Sequence, residues 1–369
     1  MNNLSAKIID LAIQIQQIPA PTFSEGARAE FVRGLFVNEN LQDVSIDSIG
    51  NVFARMPGKH KKAKTLIVSA HLDTVFPNSI NLQVTRREEA GKIVAPGIGD
   101  NSLGVAALFG ILWSLRERNV ELPHDVWFVA NVGEEGLGDL CGMRAVVERF
   151  DKDVIGYLVL EGLALGNVYH RAIGVRRYRI TANTAGGHSW SDYGQPSAVH
   201  ELAALVTQLT ALRLPHEPRT TMNVGTFDGG TGINVLASEA KCELDLRSED
   251  PATLSKLIYQ VEELFRNADR DGVKMLAEII GQRPAGEIPA EHPLVKLALN
   301  CMHEQGLSSI LTSGSTDANI PLSRNIPAVV MGITTGGGAH TTHEYIDLEP
   351  VEKGMDAVVR FVERAGEEQ

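Results

Sequence analysis

Five short segments of this 369-residue chain carry side chains able to hold metal ions. They are Ser69-Ala70-His71-Leu72-Asp73, Gly99-Asp100-Asn101, Gly133-Glu134-Glu135-Gly136, Leu160-Glu161-Gly162 and Gly338-Ala339-His340-Thr341-Thr342-His343-Glu344. Each sets an imidazole or a carboxylate beside small residues at or near the end of an expected strand, where loops held by a rigid sheet carry chemistry. Imidazoles with several carboxylates and no thiolate suit zinc, and the same ligand chemistry admits cobalt or manganese. Two such ions acidify a water and polarise a carbonyl, so the pattern reads as a two-metal hydrolase.

Taken singly, each segment has a plainer explanation. A strand repeats every two residues, so His71 and Asp73 project to one side about 6.6 Å apart. Asp73 is then placed to orient a metal-bound His71 through its other ring nitrogen; the alternative is a half-exposed histidine beside a solvated aspartate. Asp100 precedes a helical pattern and equally suits a helix cap. Glu134 and Glu135 are ordinary surface unless a cation or proton lies between them. Glu161 ends the apolar run Ile155–Leu160, and a buried carboxylate there requires a partner. Spacing does not choose between His340 and His343. Five coincidences together decide for metal.

Other hydrolytic designs fit less well. Neither His-Glu-x-x-His nor its inverse occurs, which disfavours a helix-borne single-zinc peptidase. Gly187-His188-Ser189-Trp190-Ser191 departs from the Gly-x-Ser-x-Gly elbow at its last position, which disfavours a serine hydrolase.

The elements that must position these residues follow from periodicity. Leu4, Ile8, Leu11, Ile15 and Ile18 give a helix over 4–18, ended by Pro19-Ala20-Pro21, and Ser24 is expected to cap a second helix running toward Asn40. Strands are expected at 51–55, 65–70, 126–131 and 155–160, with a helix over 103–118 between two of them. This alternation predicts an α/β domain with a mostly parallel sheet covered on both faces. After Val168 the rhythm becomes strand 173–183, helix 197–213, strand 221–227, strand 239–247, helix 251–268, strand 273–280, the order of a ferredoxin-like α+β unit. In 239–247, Ala240, Cys242, Leu244 and Leu246 alternate with Lys241, Glu243, Asp245 and Arg247, so one face is core and the other open. A helix at 292–304, a strand at 327–332 and a helix at 349–366 resume the first rhythm. The expected organisation is therefore a domain formed by 1–172 and 287–369, with 173–286 inserted.

Composition narrows the function class. The net charge of −12 argues against nucleic acid, since such proteins concentrate Lys and Arg. Cys141, Cys242 and Cys301 are too few and scattered for a disulfide framework, which points to a reducing compartment. With no recognisable leader at the N-terminus and no stretch read as approaching a membrane span, a cytoplasmic location without membrane contact is expected.

The ordered segments, together with Gly186-Gly187-His188-Ser189, Gly232-Ile233-Asn234, Asp245-Leu246-Arg247 and Gly314-Ser315-Thr316-Asp317-Ala318-Asn319, resemble a co-catalytic dizinc family. It includes glutamate carboxypeptidase, peptidase T, acetylornithine deacetylase and succinyl-diaminopimelate desuccinylase. The resemblance covers nearly the whole chain and implies a dizinc exopeptidase-like catalytic domain with an inserted lid and dimerisation domain. It implies that Asp100 bridges two divalent ions, that His71 and Glu161 complete one site, and that Glu135 and His340 complete the other. His340 is preferred to His343 because the family's ligand lies four residues before a glutamate, here Glu344. Asp73 takes the orienting role. Glu134 is implied as the general base that takes a proton from a water held between the ions and passes it to the leaving amine. His188 is implied as a hydrogen-bond donor to the tetrahedral intermediate, delivered across a homodimer, with Asn234 and Arg247 as substrate anchors; an exposed salt bridge is the simpler role for Arg247. A cis peptide is expected at Asp100-Asn101.

The expected activity is hydrolysis of an amide in a small peptide. Thr74-Val75-Phe76-Pro77 and Gly136-Leu137-Gly138-Asp139 lean toward the peptidase T side. An N-acyl-amino-acid deacylase of the acetylornithine or succinyl-diaminopimelate type is the alternative. A catalytically silent metal-binding scaffold is a remote one, because Asp73, Glu134 and every ligand position are filled.

Overall fold

The structure, a computed structural model, describes residues 3–60, 63–87 and 91–367. The first part of the chain gives α1 (Asn3–Gln16), α2 (Gly26–Asn38), β1 (Gln42–Ile46), β2 (Val52–Met56), β3 (Thr65–His71), β4 (Thr85–Arg87), β5 (Lys92–Val94), α3 (Gly104–Glu117), β6 (Val126–Asn131), α4 (Cys141–Phe150), β7 (Val154–Glu161) and β8 (Asn167–Ala172). The middle gives β9 (Gly174–Thr184), β10 (Gly187–His188), α5 (Ala198–Thr210), β11 (Thr220–Gly229), β12 (Val235–Leu236), β13 (Glu239–Ser248), α6 (Pro251–Ala268) and β14 (Val273–Arg283). The last part gives β15 (Gly286–Glu287), α7 (Pro293–Glu304), β16 (Ile310–Gly314), α8 (Asn319–Ser323), β17 (Ala328–Gly332), β18 (Gly336–Gly337), β19 (Tyr345–Asp347) and α9 (Val351–Arg364). Two compact units result, Met1–Ala172 with Glu287–Gln369, and Ile173–Gly286.

In the first unit the main sheet runs β1-β2-β6-β3-β7-β17-β8, with β16 also paired to β8. The four inner strands β6, β3, β7 and β17 are mutually parallel. Their apolar runs are buried almost throughout, as strands covered on both faces require. At one edge β1 pairs antiparallel with β2 and β2 antiparallel with β6, and β8 is antiparallel to β17. A smaller sheet, β18-β19-β5-β4, lies in the same unit. Its strands of two or three residues are too short to show any periodicity in sequence.

Two expectations are corrected. Ser24 does not cap α2: its N–H turns back to the Pro21 carbonyl at 2.7 Å, and Glu25 occupies the N-cap, its side chain making no cap bond to its own helix. The stretch Ile98–Glu117 is in fact long and apolar enough to span a membrane, yet 89% of it is buried inside the protein. α3, which forms the larger part of this stretch, packs against α1, α9 and β3, and a helix apolar on all sides belongs in such a core.

The second unit is a four-stranded antiparallel sheet, β11-β13-β9-β14, with α5 and α6 packed on it. Ala240, Cys242, Leu244 and Leu246 of β13 join Tyr178, Leu205 and Val261 in its core. The alternate residues Glu243 and Asp245 pair with Arg179 and Arg177 on the other face, so a period of two divides core from surface.

Candidate metal centre

His71 ends β3, Glu161 ends β7, and Glu134-Glu135 follow β6. All three parallel strands therefore deliver their polar residues at the same carboxyl edge of the sheet, where open α/β sheets bind ligands. Asp100 arrives on the turn before α3. It is not that helix's cap; Leu103 is, and Asp100 and Asn101 have non-helical backbone. The Asp100-Asn101 peptide is cis, as expected. His340 sits in the left-handed region at φ 65°, between β18 and β19 of the small sheet.

The donor atoms converge. The two Asp100 oxygens face different histidines: Oδ1 lies 3.1 Å from His71 Nε2, and Oδ2 lies 3.1 Å from His340 Nε2. Glu161 Oε2 stands 3.8 Å from His71 Nε2, and Glu135 Oε1 3.1 Å from His340 Nε2. In each of the triples His71–Asp100–Glu161 and Asp100–Glu135–His340, the donors lie within 4.8 Å of one another. A third triple, His71–Glu134–Glu135, meets the same limit. His343 joins none of these groups.

Electrostatics explains why such a cluster needs cations. Burial disfavours charge on His71, but the nearby Asp100, Asp73 and Glu161 carboxylates outweigh it and hold the imidazole well above its usual value. His340 is raised to about 10 by the Asp100 and Glu135 carboxylates. Burial raises Glu161 to about 7 against the pull of His71. Burial also opposes ionisation of Asp100, yet His340 and His71 hold it low. Packed carboxylates favour positive charge in their midst, and two divalent ions would replace the protons on the imidazoles. The donor set of two histidines and three carboxylates fits such a pair.

Two ligand segments are fixed by side-chain carboxylates that accept their backbone amides. Asp73 Oδ1 and Oδ2 accept the Glu134 and Glu135 N–H groups at 2.9 Å each, and Thr22 Oγ1 donates to Oδ2 at 2.8 Å. Consequently His71 Nδ1 meets the Asp73 backbone carbonyl at 3.0 Å, while the carboxylate stands back at 3.5 Å. Asp73 orients His71 mainly through its main chain. Glu344 accepts the Gly97, Gly99 and Asp100 N–H groups at 3.1, 2.7 and 2.9 Å, and burial pushes its carboxyl up to about 7. Two glycines are obligatory here. Gly133 has φ +66° and a Cβ would come 2.4 Å from Cys141 Sγ; at Gly162 it would come 2.1 Å from the Gly99 carbonyl oxygen.

The family model described as peptidase family M20/M25/M40 matches residues 67–364, a span holding all five donors. The chain belongs to this family. As an M20 protein it is a metallopeptidase or amidohydrolase. The curated relatives include the uncharacterized protein YqjE of Bacillus subtilis, 24% identical over 97% of this chain and 98% of that one. Another is a "Probable carboxypeptidase" of Arthroderma otae, 21% identical over 99% of this chain and 87% of that one. Among solved structures, a tripeptidase from Staphylococcus aureus superposes with TM-score 0.83 at 22% identity over 99% of both chains. The aminopeptidase PepT of Bacillus cereus does so with TM-score 0.79 at 21% identity over 98% of both. A dinuclear metal-binding M20 peptidase of Bacillus subtilis gives TM-score 0.72 at 16% identity over 99% of both. These establish the M20 fold for this chain.

The remaining expected residues lie in the second unit. His188 is on β10, where it pairs with Val235 of β12; Asn234 precedes that strand, and its carbonyl accepts the Ser189 N–H at 3.0 Å. His188 Nδ1 accepts the Trp190 and Ser191 N–H groups at 3.2 and 3.4 Å. In the neutral ring this leaves the proton on Nε2, a donor on an exposed residue. Arg247 on β13 bonds Asp245 Oδ2 through Nε at 2.7 Å, and Arg177 holds the other oxygen at 2.9 Å. Sequence reasoning missed the M20 chain's N-terminal contribution, Thr22, Glu25 and Arg28. A signal existed: Arg28 falls on the same helical stripe as Val32 and Phe36, all buried, and a charge within an apolar stripe demands partners.

Proposed function

We propose that this protein is a two-metal exopeptidase that hydrolyses an amide bond of small peptides. The observation carrying the proposal is the split of one carboxylate: Asp100 turns an oxygen to each of two histidine–carboxylate groups. In this reading His71, Asp100 and Glu161 hold one divalent ion, and Asp100, Glu135 and His340 hold the other, with zinc first and cobalt or manganese as substitutes. When bound, such ions acidify a water toward pH 7 and polarise a carbonyl. Glu134 takes the proton of the attacking water and delivers it to the leaving amine. Its buried position beside His71 and Glu135, with its N–H held by Asp73, supports that role. In the second unit we assign His188 the donor to the developing oxyanion through Nε2–H, and Asn234 and Arg247 the anchoring of a substrate carbonyl or carboxylate.

Small peptides are favoured as substrates by the tripeptidase and PepT likenesses. The same reading makes the protein a homodimer through the second unit, working in the cytoplasm, with its three cysteines reduced. The test joins metal analysis to a panel of di- and tripeptides, each with free, amino-blocked or carboxyl-blocked ends, run against N-acetyl and N-succinyl amino acids. Cleavage of peptides that stops with chelator and returns with zinc supports the proposal. Cleavage of N-acyl amino acids alone makes the protein a deacylase, and metal binding with no hydrolysis of either class makes it a scaffold. Light scattering in solution checks the dimer.

A further inference from the structure

Three consecutive amides of the loop after β6 donate to side-chain carboxylates. Glu134 and Glu135 N–H bond the two oxygens of Asp73, and Gly133 N–H bonds Glu25 Oε1 at 3.1 Å. Glu25 lies 108 residues away, at the start of α2. It is 6% exposed, and the same oxygen accepts the Phe23 N–H at 3.1 Å. An N-cap carboxylate ordinarily accepts from the first amides of its own helix; Glu25 directs its oxygen to another loop instead.

Arg28, one turn along α2, supports the arrangement. It is 2% exposed. Its Nε and Nη2 donate to the Ile18 carbonyl at 3.0 and 2.6 Å, and Nη1 donates at 2.7 Å to the carbonyl of Leu72, the residue between His71 and Asp73. Its positive charge faces both Asp73 and Glu25, so the two carboxylates that grip the loop share one buried counter-charge.

We infer that Glu25 is a positioning residue for hydrolysis: by holding the Gly133 N–H it sets the direction in which Glu134 and Glu135 leave the strand. This rests on the reading of those two glutamates as base and ligand. Gly133 is the hinge at risk, since its φ of +66° is held from its N–H side by this bond. A misplacement of about 1 Å in a catalytic group costs about 10²-fold in rate.

The test compares Glu25→Ala, Glu25→Gln and Glu25→Asp. Gln keeps an acceptor oxygen at the same reach; Asp keeps the charge beside Arg28 but falls one methylene short of Gly133. Expected for Ala and Asp is a kcat lower by about 10²-fold with KM within about twofold, and for Gln a kcat within about threefold of wild type. Amide hydrogen exchange over residues 132–140 should quicken in Ala and Asp but not in Gln, whether or not a substrate is known. Wild-type exchange and kcat in Glu25→Asp, or equal losses in Gln and Asp, would overturn the inference. If the wild-type protein cleaves no amide, the functional reading fails, while the exchange contrast still decides the role of Glu25.

Discussion

Asn101 grips the chain on both sides of Glu161. Its Nδ2 donates to the Leu160 carbonyl at 2.8 Å, and its Oδ1 accepts the Gly162 N–H at 3.0 Å. The residue that follows Asp100 thus ties it to the end of β7, where Glu161 is carried. Asn101→Ala should weaken binding of the ion at His71–Asp100–Glu161 by about 10- to 100-fold, the usual cost of losing an outer partner of a ligand. Competition between the protein and a chelator for zinc measures it, and an unchanged dissociation constant would count against this coupling.

Glu134 and Glu135 are neighbours with separable roles. Glu134→Gln should lower kcat by about 10²- to 10⁴-fold, the range for a lost general base, while leaving two ions per chain. Glu135→Ala should instead lose metal. Elemental analysis beside steady-state kinetics separates the two; equal metal loss in both variants would end the distinction.

Asp100 serves both groups, so Asp100→Ala should reduce both affinities rather than one. Zinc stabilises a fold that binds it in proportion to the logarithm of free ion over Kd. Added zinc should therefore raise the melting temperature of wild type and leave that of Asp100→Ala nearly unmoved. A full zinc-dependent rise in the variant would contradict a shared ligand.

His124 offers a pH signature away from the metal residues. It is 1% exposed, and among the described residues neither ring nitrogen meets a hydrogen-bond partner. Burial lowers its pKa, against the pull of Asp125. The fold therefore favours the neutral ring, so this contribution to stability is complete above the unfolded value of about 6.5 and is lost as pH falls through it toward the folded value. In chelator, denaturant titrations from pH 7 to 5 should show a steeper loss of stability in wild type than in His124→Gln. Parallel curves would show that His124 does not charge on unfolding.

The boundaries of α6 and β13 were legible because each has a strong period of its own: Leu254, Leu257, Val261 and Phe265 on one helical face, and strict alternation along 239–248. The start of α2 departs from expectation because Ser24 is a favoured cap type and Glu25 is not; the Ser24 N–H closes a turn onto the Pro21 carbonyl, and the helix begins one residue later, after Glu25. The Ile98–Glu117 core stretch was missed as membrane-length because Asp100 and Asn101 interrupt the apolar run while the stretch stays buried.

By itself, the sequence determined which residue types stand at which strand ends, and thereby a metal-binding α/β hydrolase of a recognisable kind. Ligands are legible because glycine-flanked His and carboxylates after apolar runs are rare together. Spacing left His340 and His343 equal and the family resemblance chose His340, which the structure sets against Asp100; tertiary structure alone decided that Asp73 turns its carboxylate to the 134–135 amides, and that Glu25, Arg28, Asn101 and Glu344 hold the site's backbone in place. Those bonds join segments from 44 to 247 residues apart. No local pattern encodes such a pairing; it exists only once the sheet has brought the strand ends together.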